Sequence, residues 1–212
     1  MKRIRRIRDV NHPLFDEKTV RHGLAFFAVD GDEEHPFEFT IETTHQARLK
    51  GTPSRFVEEA IETFLFYNGH ISRIIDEQGK TLYETSRKDI VEHPLATLGV
   101  SQFHVSSHRV KDVKTWVKEP QDIIVAVTRI HGKTVARDGH TRLKVAQMMG
   151  FSHVHVFFES HDDIFEAFYY EARKRNIWSI ADVTIVSPEV FQRDWDDFCD
   201  AFICEQNRKN RQ

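Results

Sequence analysis

The sequence predicts an α+β fold built of more than one compact part, and three observations carry that expectation. Apolar segments of two different periods follow one another along the chain. Short runs such as residues 123–130 have strand length, whereas Phe56, Val57, Ala60, Ile61, Phe64 and Leu65 form a helical stripe. A polar stretch over residues 85–95, ending in His93-Pro94, separates an N-terminal group of elements from the rest. At 212 residues, with 40% apolar and 30% charged side chains, the chain is long and apolar enough to bury real cores. Seventeen phenylalanines point to interiors packed with rings. The expected organisation is an α+β domain over 1–95, a mixed α/β module over 96–160 and a helical extension over 161–212.

Element by element, residues 23–29 and 37–41 have strand composition. The acidic turn 30–34 between them suggests a hairpin. Thr52-Pro53-Ser54 announces a helix that Asn68-Gly69 ends. A second hairpin is expected from residues 71–75 and 81–84 around a turn at 76–80. In the middle third, residues 99–105 predict a strand. A helix capped by Ser106 or Ser107 then carries Val110, Val113, Trp116 and Val117, and Glu119-Pro120 stops it. Residues 123–130 form an unbroken apolar run, as expected of a strand covered on both faces. His131-Gly132-Lys133 turns the chain into a strand at 134–137, a helix follows from 140 to 149, and residues 153–158 form the next strand. The last third is helical, with Ile164, Phe165, Phe168, Tyr169 and Ala172 on one stripe. A short strand is expected at 183–186, and Ser187-Pro188-Glu189 begins a helix carrying Trp195, Phe198, Phe202 and Ile203.

Charge and cysteine content narrow the function classes. The net charge is −3, with 14 Lys/Arg against 17 Asp/Glu in residues 1–95 and 16 of each beyond. Such a balance disfavours a protein built to grip duplex DNA, and the basic tips (2–8 and 208–211) are read as solvated tails. No apolar run has the length of a membrane span and no secretory core follows the basic N-terminus, so a cytoplasmic protein is expected. Cys199 and Cys204 lie on one helix. Five positions at roughly 100° each turn them about 140° apart, so two free thiols are expected.

One stretch combines residue type, spacing and context in a way that suggests chemistry: Asp138-Gly139-His140-Thr141-Arg142, between a strand and an amphipathic helix. A glycine there admits close backbone approach. The first helical turn offers free N–H groups at the positive end of the dipole, a setting that favours phosphate. Arg142 adds a forked, permanent cation. Asp138 would repel a phosphate unless it contacts Mg²⁺, caps the helix or serves as a base toward an acceptor hydroxyl. His140 is a candidate phosphate donor or proton shuttle, and Thr141 a supporting hydroxyl. His153 and His155 share a strand face. A zinc site there would need a third ligand, His131 or Asp138, and a solvated face is the expectation.

Residues 132–142, followed by Ala146 and Gly150, resemble the ParB/sulfiredoxin superfamily, whose members place Asp-Gly-His-x-Arg or a variant between a strand and a helix. The likeness spans about residues 96–160, and the flanking thirds, which match nothing of characterised function, look similar to uncharacterised proteins carrying a ParB-like nuclease domain. The branch differences are informative. Sulfiredoxins carry a reactive Cys where this chain has His140, which argues against sulfinic-acid repair. Chromosome-partition ParB proteins use Gly-Glu-Arg-Arg for CTP and magnesium, and Gly139-His140-Thr141-Arg142 lacks the Glu and one Arg. The free-serine kinases, with Asp-Gly-His-His-Arg, carry the nearest motif, although residues 106–116 offer no clear equivalent of their acidic base. The resemblance implies a nucleotide or phosphate binder, ATP with Mg²⁺ by preference. Its site would be Gly139, His140, Thr141 and Arg142 on phosphate, with Asp138 and His140 as catalytic groups and a small hydroxylated metabolite as acceptor. Two alternatives stand beside it: a ParB-like nuclease or DNA-binding module, and a nucleotide sensor without catalysis.

Overall fold

The computed structural model describes residues 4–7, 24–29, 32–51 and 55–209. The expected capping residues at 52–54 lie outside these; of the basic tips read as solvated tails, residues 4–7 instead form a strand paired in the first sheet and 208–209 end the last helix. The fold is α+β, and the chain divides into two compact units, Met1–Asp89 and Ile90–Gln212.

The first unit is a six-stranded sheet in plain sequence order: β1 (Ile4–Ile7), β2 (Leu24–Val29), β3 (Asp32–Thr43), β4 (Gln46–Lys50), β5 (Arg73–Ile75) and β6 (Thr81–Glu84). All neighbours are antiparallel except β4 and β5, which run parallel. Parallel neighbours need a crossover rather than a hairpin, and helix α1 (Val57–Tyr67) lies in that connection. Its stripe, Ala60, Ile61 and Phe64, meets Phe27, Phe39, Ala47, Leu49 and Ile74 in one core. Phe39 and Phe64 stack with centroids 4.3 Å apart, and Phe27 sits edge-on to both at 5.5 and 6.2 Å. Such ring pairs add about 1 kcal/mol each beyond their buried area. The 76–80 turn forms as expected: Asp76 Oδ1 accepts from the N–H groups of Gln78 and Lys80, and Gly79 is left-handed at φ +82°. Strand β4 is an addition to the sequence-based expectation. Its inward residues are only Ala47 and Leu49, between Gln46, Arg48 and Lys50.

The second unit opens inside the stretch read as a linker. β7 (Val91–Pro94) pairs antiparallel with β11 (His153–Phe158), so the division falls after Asp89 rather than at residue 95. Between them come β8 (His104–Ser106), α2 (Ser107–Trp116), β9 (Ile124–Ile130), β10 (Lys133–Ala136) and α3 (His140–Met148). The main sheet has the order β10-β9-β11-β7, with β9 and β11 parallel and α3 in their connection. The expected strand at 99–105 is reduced to β8 and an isolated bridge from Gly99 to Val135. β8 pairs instead with β12 (Thr184–Val186) in a separate two-stranded ribbon. Ser106 holds the N-cap position of α2, but its side chain makes no capping bond.

The C-terminal segment is helical: α4 (Asp163–Lys174), α5 (Pro188–Phe191), a π-type stretch over 192–196 and α6 (Asp197–Lys209). It packs on the second unit through rings. Trp195 and Phe198 lie 4.8 and 5.2 Å from Phe103, and Phe202 lies 4.8 Å from Phe168. Cys199 and Cys204 are both free. Burial, helped by Asp196 and Asp200, pushes the Cys199 thiol up to about 12, so it is unreactive at neutral pH. Asp162 caps α4 by accepting from the Phe165 N–H at 3.1 Å, and also pairs with Arg137 at 3.3 Å. Asp162→Ala is expected to cost about 1 kcal/mol of unfolding free energy, measured by urea titration.

Candidate functional site

The motif forms because its residues need one unusual backbone position. Gly139 is the N-cap of α3 at φ +83°, ψ +16°, a left-handed conformation in which a Cβ is penalised. The space beside it is filled. A Cβ built on Gly139 would lie 2.5 Å from Val125 Cγ1 and 3.0–3.1 Å from the guanidinium of Arg142. The close neighbours that require glycine are thus this protein's own strand β9 and its own arginine.

Arg142 folds back over the start of its own helix. Its Nη1 donates to the Ile124 carbonyl at 2.7 Å, and its Nη2 pairs with Asp138 Oδ2 at 3.3 Å. The Arg142 side chain is 22% exposed and that of Asp138 57%. The expected cap is therefore absent: among the described residues, neither Asp138 nor any other side chain bonds the first-turn amides of α3. Among the described residues, the N–H groups of His140, Thr141 and Arg142 find no acceptor, whereas Leu143 N–H returns to the Gly139 carbonyl at 2.9 Å. A guanidinium beside the positive end of a helix is electrostatically unfavourable by itself. The Ile124 carbonyl and the Asp138 carboxylate offset that cost.

His140 is placed differently from the expectation of a proton shuttle beside Asp138. It is 3% exposed, and its Nε2 accepts from the Ser101 N–H at 3.2 Å. The Ser101 hydroxyl in turn donates to the Ala136 carbonyl at 3.1 Å. An accepting Nε2 requires a neutral ring with its proton on Nδ1. Burial, chiefly, and the Arg142 charge pull the imidazole down to about 4, against the opposing pull of Asp138. His140 therefore pins the 99–101 segment to the helix start and stays uncharged at neutral pH. Thr141 is half-buried on the first turn.

The neighbouring cations are already engaged. Arg137 donates to the Ser160 carbonyl, pairs with Asp162 and with Glu159 at 3.4 Å, and lies 4.6 Å from the Phe165 ring. Lys144 Nζ donates to the Ile180 carbonyl at 3.1 Å, and burial lowers its pKa. The His pair on β11 gathers no third ligand. His155 Nδ1 meets the Pro120 carbonyl at 3.3 Å, His153 faces Glu92 at 3.8 Å, and His131 meets Glu166 at 3.0 Å and Tyr170 at 2.5 Å. Among the described residues, no group of three or more His, Cys, Asp and Glu side chains is placed to hold a metal ion.

The structure thus brings Asp138, Gly139, Thr141 and Arg142 together at one helix start and turns His140 inward. It adds three groups with no signal in the linear sequence: the Ile124 carbonyl, the Val125 side chain and Ser101. They act on the motif only through strand pairing and chain reversal. No helix of the described residues is long and apolar enough to cross a membrane.

Comparison with known proteins adds little to this geometry. No family model and no curated protein matches the chain. Among solved structures it is similar to protein Atu1540 from Agrobacterium tumefaciens, at a TM-score of 0.33 and 17% identity, over 46% of this chain and 62% of that one.

Proposed function

We propose that the second unit binds a phosphate-bearing ligand at the start of α3, a nucleotide by preference and ATP with Mg²⁺ first among them. The observation that carries this reading is the Arg142 guanidinium folded over an uncapped positive helix end. An anion there would meet first-turn amides and a guanidinium at once. The residues present fit a phosphate on those terms. The ligand would displace Asp138 from Arg142, and Asp138, exposed at the rim, is the carboxylate available to contact Mg²⁺ or to accept a proton from an acceptor hydroxyl. The resemblance to the ParB/sulfiredoxin superfamily, and to its free-serine kinase branch at the motif, supports phosphoryl transfer to a small hydroxylated metabolite. His140 would then act as a positioning residue.

One observation favours the second reading, a nucleotide sensor without turnover. With His140 withdrawn, Asp138 is the one carboxylate or imidazole among the described motif residues left for chemistry at the helix start, and it is held in an ion pair. The near-neutral charge balance leaves a nuclease third.

A thermal-shift panel of ATP, ADP, CTP and GTP, each with and without Mg²⁺, tests the reading, because a ligand of the native state raises the apparent melting temperature. At least one nucleotide is expected to stabilise the protein, and Arg142→Ala, checked for folding by circular dichroism, to abolish the shift. Without Mg²⁺, Asp138→Asn should tighten nucleotide binding about fivefold, the equivalent of removing ~1 kcal/mol of charge competition. With Mg²⁺ the same substitution should weaken it if the carboxylate contacts the metal. A folded Arg142→Ala protein with undiminished affinity would remove the proposal.

A further inference from the structure

A hollow of about 350 Å³ lies at one end of the first unit's sheet, where the β3–β4 turn, the start of β5 and the chain leaving β6 come together. It is lined by Thr43, His45, Ser72, Arg73, Glu84 and Arg87, together with Gln46 and Thr85. That volume is at the lower end of small-molecule sites, which run from roughly 300 Å³.

The floor of this hollow is rigid because its own hydrogen bonds over-determine it. The His45 carbonyl accepts from the N–H groups of Ser72 and Arg73, at 2.9 and 3.0 Å, and lies 3.3 Å from the Ser72 hydroxyl. Thr43 Oγ1 accepts from the N–H groups of His45 and Gln46, at 3.3 and 3.1 Å. The Thr85 N–H donates to the Ser72 carbonyl at 2.9 Å, which ties the chain leaving β6 to the approach to β5. Ser72 is buried, and so is the neighbouring Ile71. The backbone polar groups are thus mostly consumed in the floor, and charged residues are part of the lining.

Two of the charged residues, Glu84 and Arg87, are uncompensated among the described residues. Arg73 and Glu84 are direct partners across β5 and β6, a register that normally joins opposite charges. Yet Arg73 donates to Thr81 Oγ1 at 3.0 Å instead. Among the described residues, neither Glu84 nor Arg87 makes an ion pair or a side-chain hydrogen bond. Arg73, Arg87 and Glu84 therefore line a preformed polar floor, the Arg73 guanidinium resting on Thr81 and the other two charges without a partner among the described residues. A simple anion would gain from the arginines but meet the charge of Glu84. A cation would meet the reverse. The ligand that satisfies all three carries both signs, with its anionic group facing two cations and its cationic group facing one carboxylate.

We propose that the first unit binds a small zwitterion in this hollow, an α-amino acid or a phosphorylated amine. Its carboxylate or phosphate is held by Arg73 and Arg87, and its ammonium by Glu84. This site is independent of the helix start in the second unit.

Isothermal titration of the full chain tests the proposal with free α-amino acids and phosphoethanolamine as zwitterions, and with succinate and inorganic phosphate as anions lacking an amine. At least one zwitterion is expected to bind, with the amino-acid and phosphoethanolamine arms separating carboxylate from phosphate recognition. Arg87→Ala and Glu84→Gln are each expected to weaken that binding about tenfold or more, as loss of a charge-assisted hydrogen bond does. Lys80→Ala, which removes an exposed cation from the β5–β6 turn, is expected to leave it unchanged. All three positions are exposed, so these variants should fold, and circular dichroism checks that they do. Silence from every zwitterion at millimolar concentration overturns the proposal. So does an affinity for succinate or phosphate that equals the zwitterion's and rises in Glu84→Gln, because the carboxylate would then be only a repulsive bystander.

Discussion

Gly139→Ala is expected to destabilise the second unit by about 2–4 kcal/mol, lowering its melting temperature by about 5–15 °C. Two costs combine. A left-handed backbone is disfavoured for alanine by about 1 kcal/mol. The new methyl would also lie 2.5 Å from Val125 Cγ1, far inside the 3.5–4.0 Å at which carbon atoms attract. Val125 is fully buried on β9, which pairs on both edges, so the strand has little room to move. The Arg142 guanidinium is free to swing away, but only by leaving the Ile124 carbonyl and Asp138. Gly150→Ala is the matched control. Gly150 has φ +76°, and a methyl added there would meet nothing within 4 Å, so only the conformational cost of about 1 kcal/mol applies. Urea denaturation of the two variants separates packing from backbone strain. Equal losses would show that Val125 does not hold the glycine, and the geometry described for the helix start would be wrong.

Replacement of His140 has the second large effect, and it carries a pH signature. His140→Ala leaves the buried Ser101 N–H without its acceptor and opens a cavity, which together cost about 3 kcal/mol. The pH dependence follows from linkage. The folded imidazole titrates at about 4 and the unfolded one near 6.5, so the unfolded chain binds more protons between those values. Stability from the neutral ring is complete above about pH 6.5 and is lost as pH falls toward 4. Each pKa unit corresponds to about 1.4 kcal/mol, so on the order of 3 kcal/mol is lost across that window. His140→Gln keeps an acceptor but cannot titrate there. Its unfolding free energy, measured by urea titration from pH 4 to 7, should change less over the window than that of the natural protein. Parallel profiles for the two proteins would mean that His140 is not buried neutral. The same result would restore it as a candidate for proton transfer at the phosphate site.

Much of the fold was legible in sequence because its elements announce themselves locally. The helix stripe at Ala60, Ile61 and Phe64, the unbroken apolar run of β9 and the Asp76–Lys80 turn each depend on residues within one turn or strand of one another. β4 escaped notice because only two inward residues, Ala47 and Leu49, mark it. β7 escaped because Val91–Pro94 is largely exposed and owes its strand form to β11, some sixty residues away. The predicted strand at 99–105 failed in part for a related reason. Apolar composition there marks burial, but the hydrogen-bonding partner of each short piece lies far along the chain.

The candidate site divides in the same way. Local sequence alone determined that Asp138-Gly139 would end a strand and open a helix, that the glycine would be needed, and that an arginine would sit one turn along, because these depend on backbone sterics and helical spacing. Only the tertiary structure decided that the glycine packs against Val125, that Asp138 holds Arg142 rather than the helix amides, and that His140 turns into the core toward Ser101. Those outcomes depend on which distant strand lies beside the turn, and desolvation by that packing, not residue type, sets which side chains remain available to a ligand.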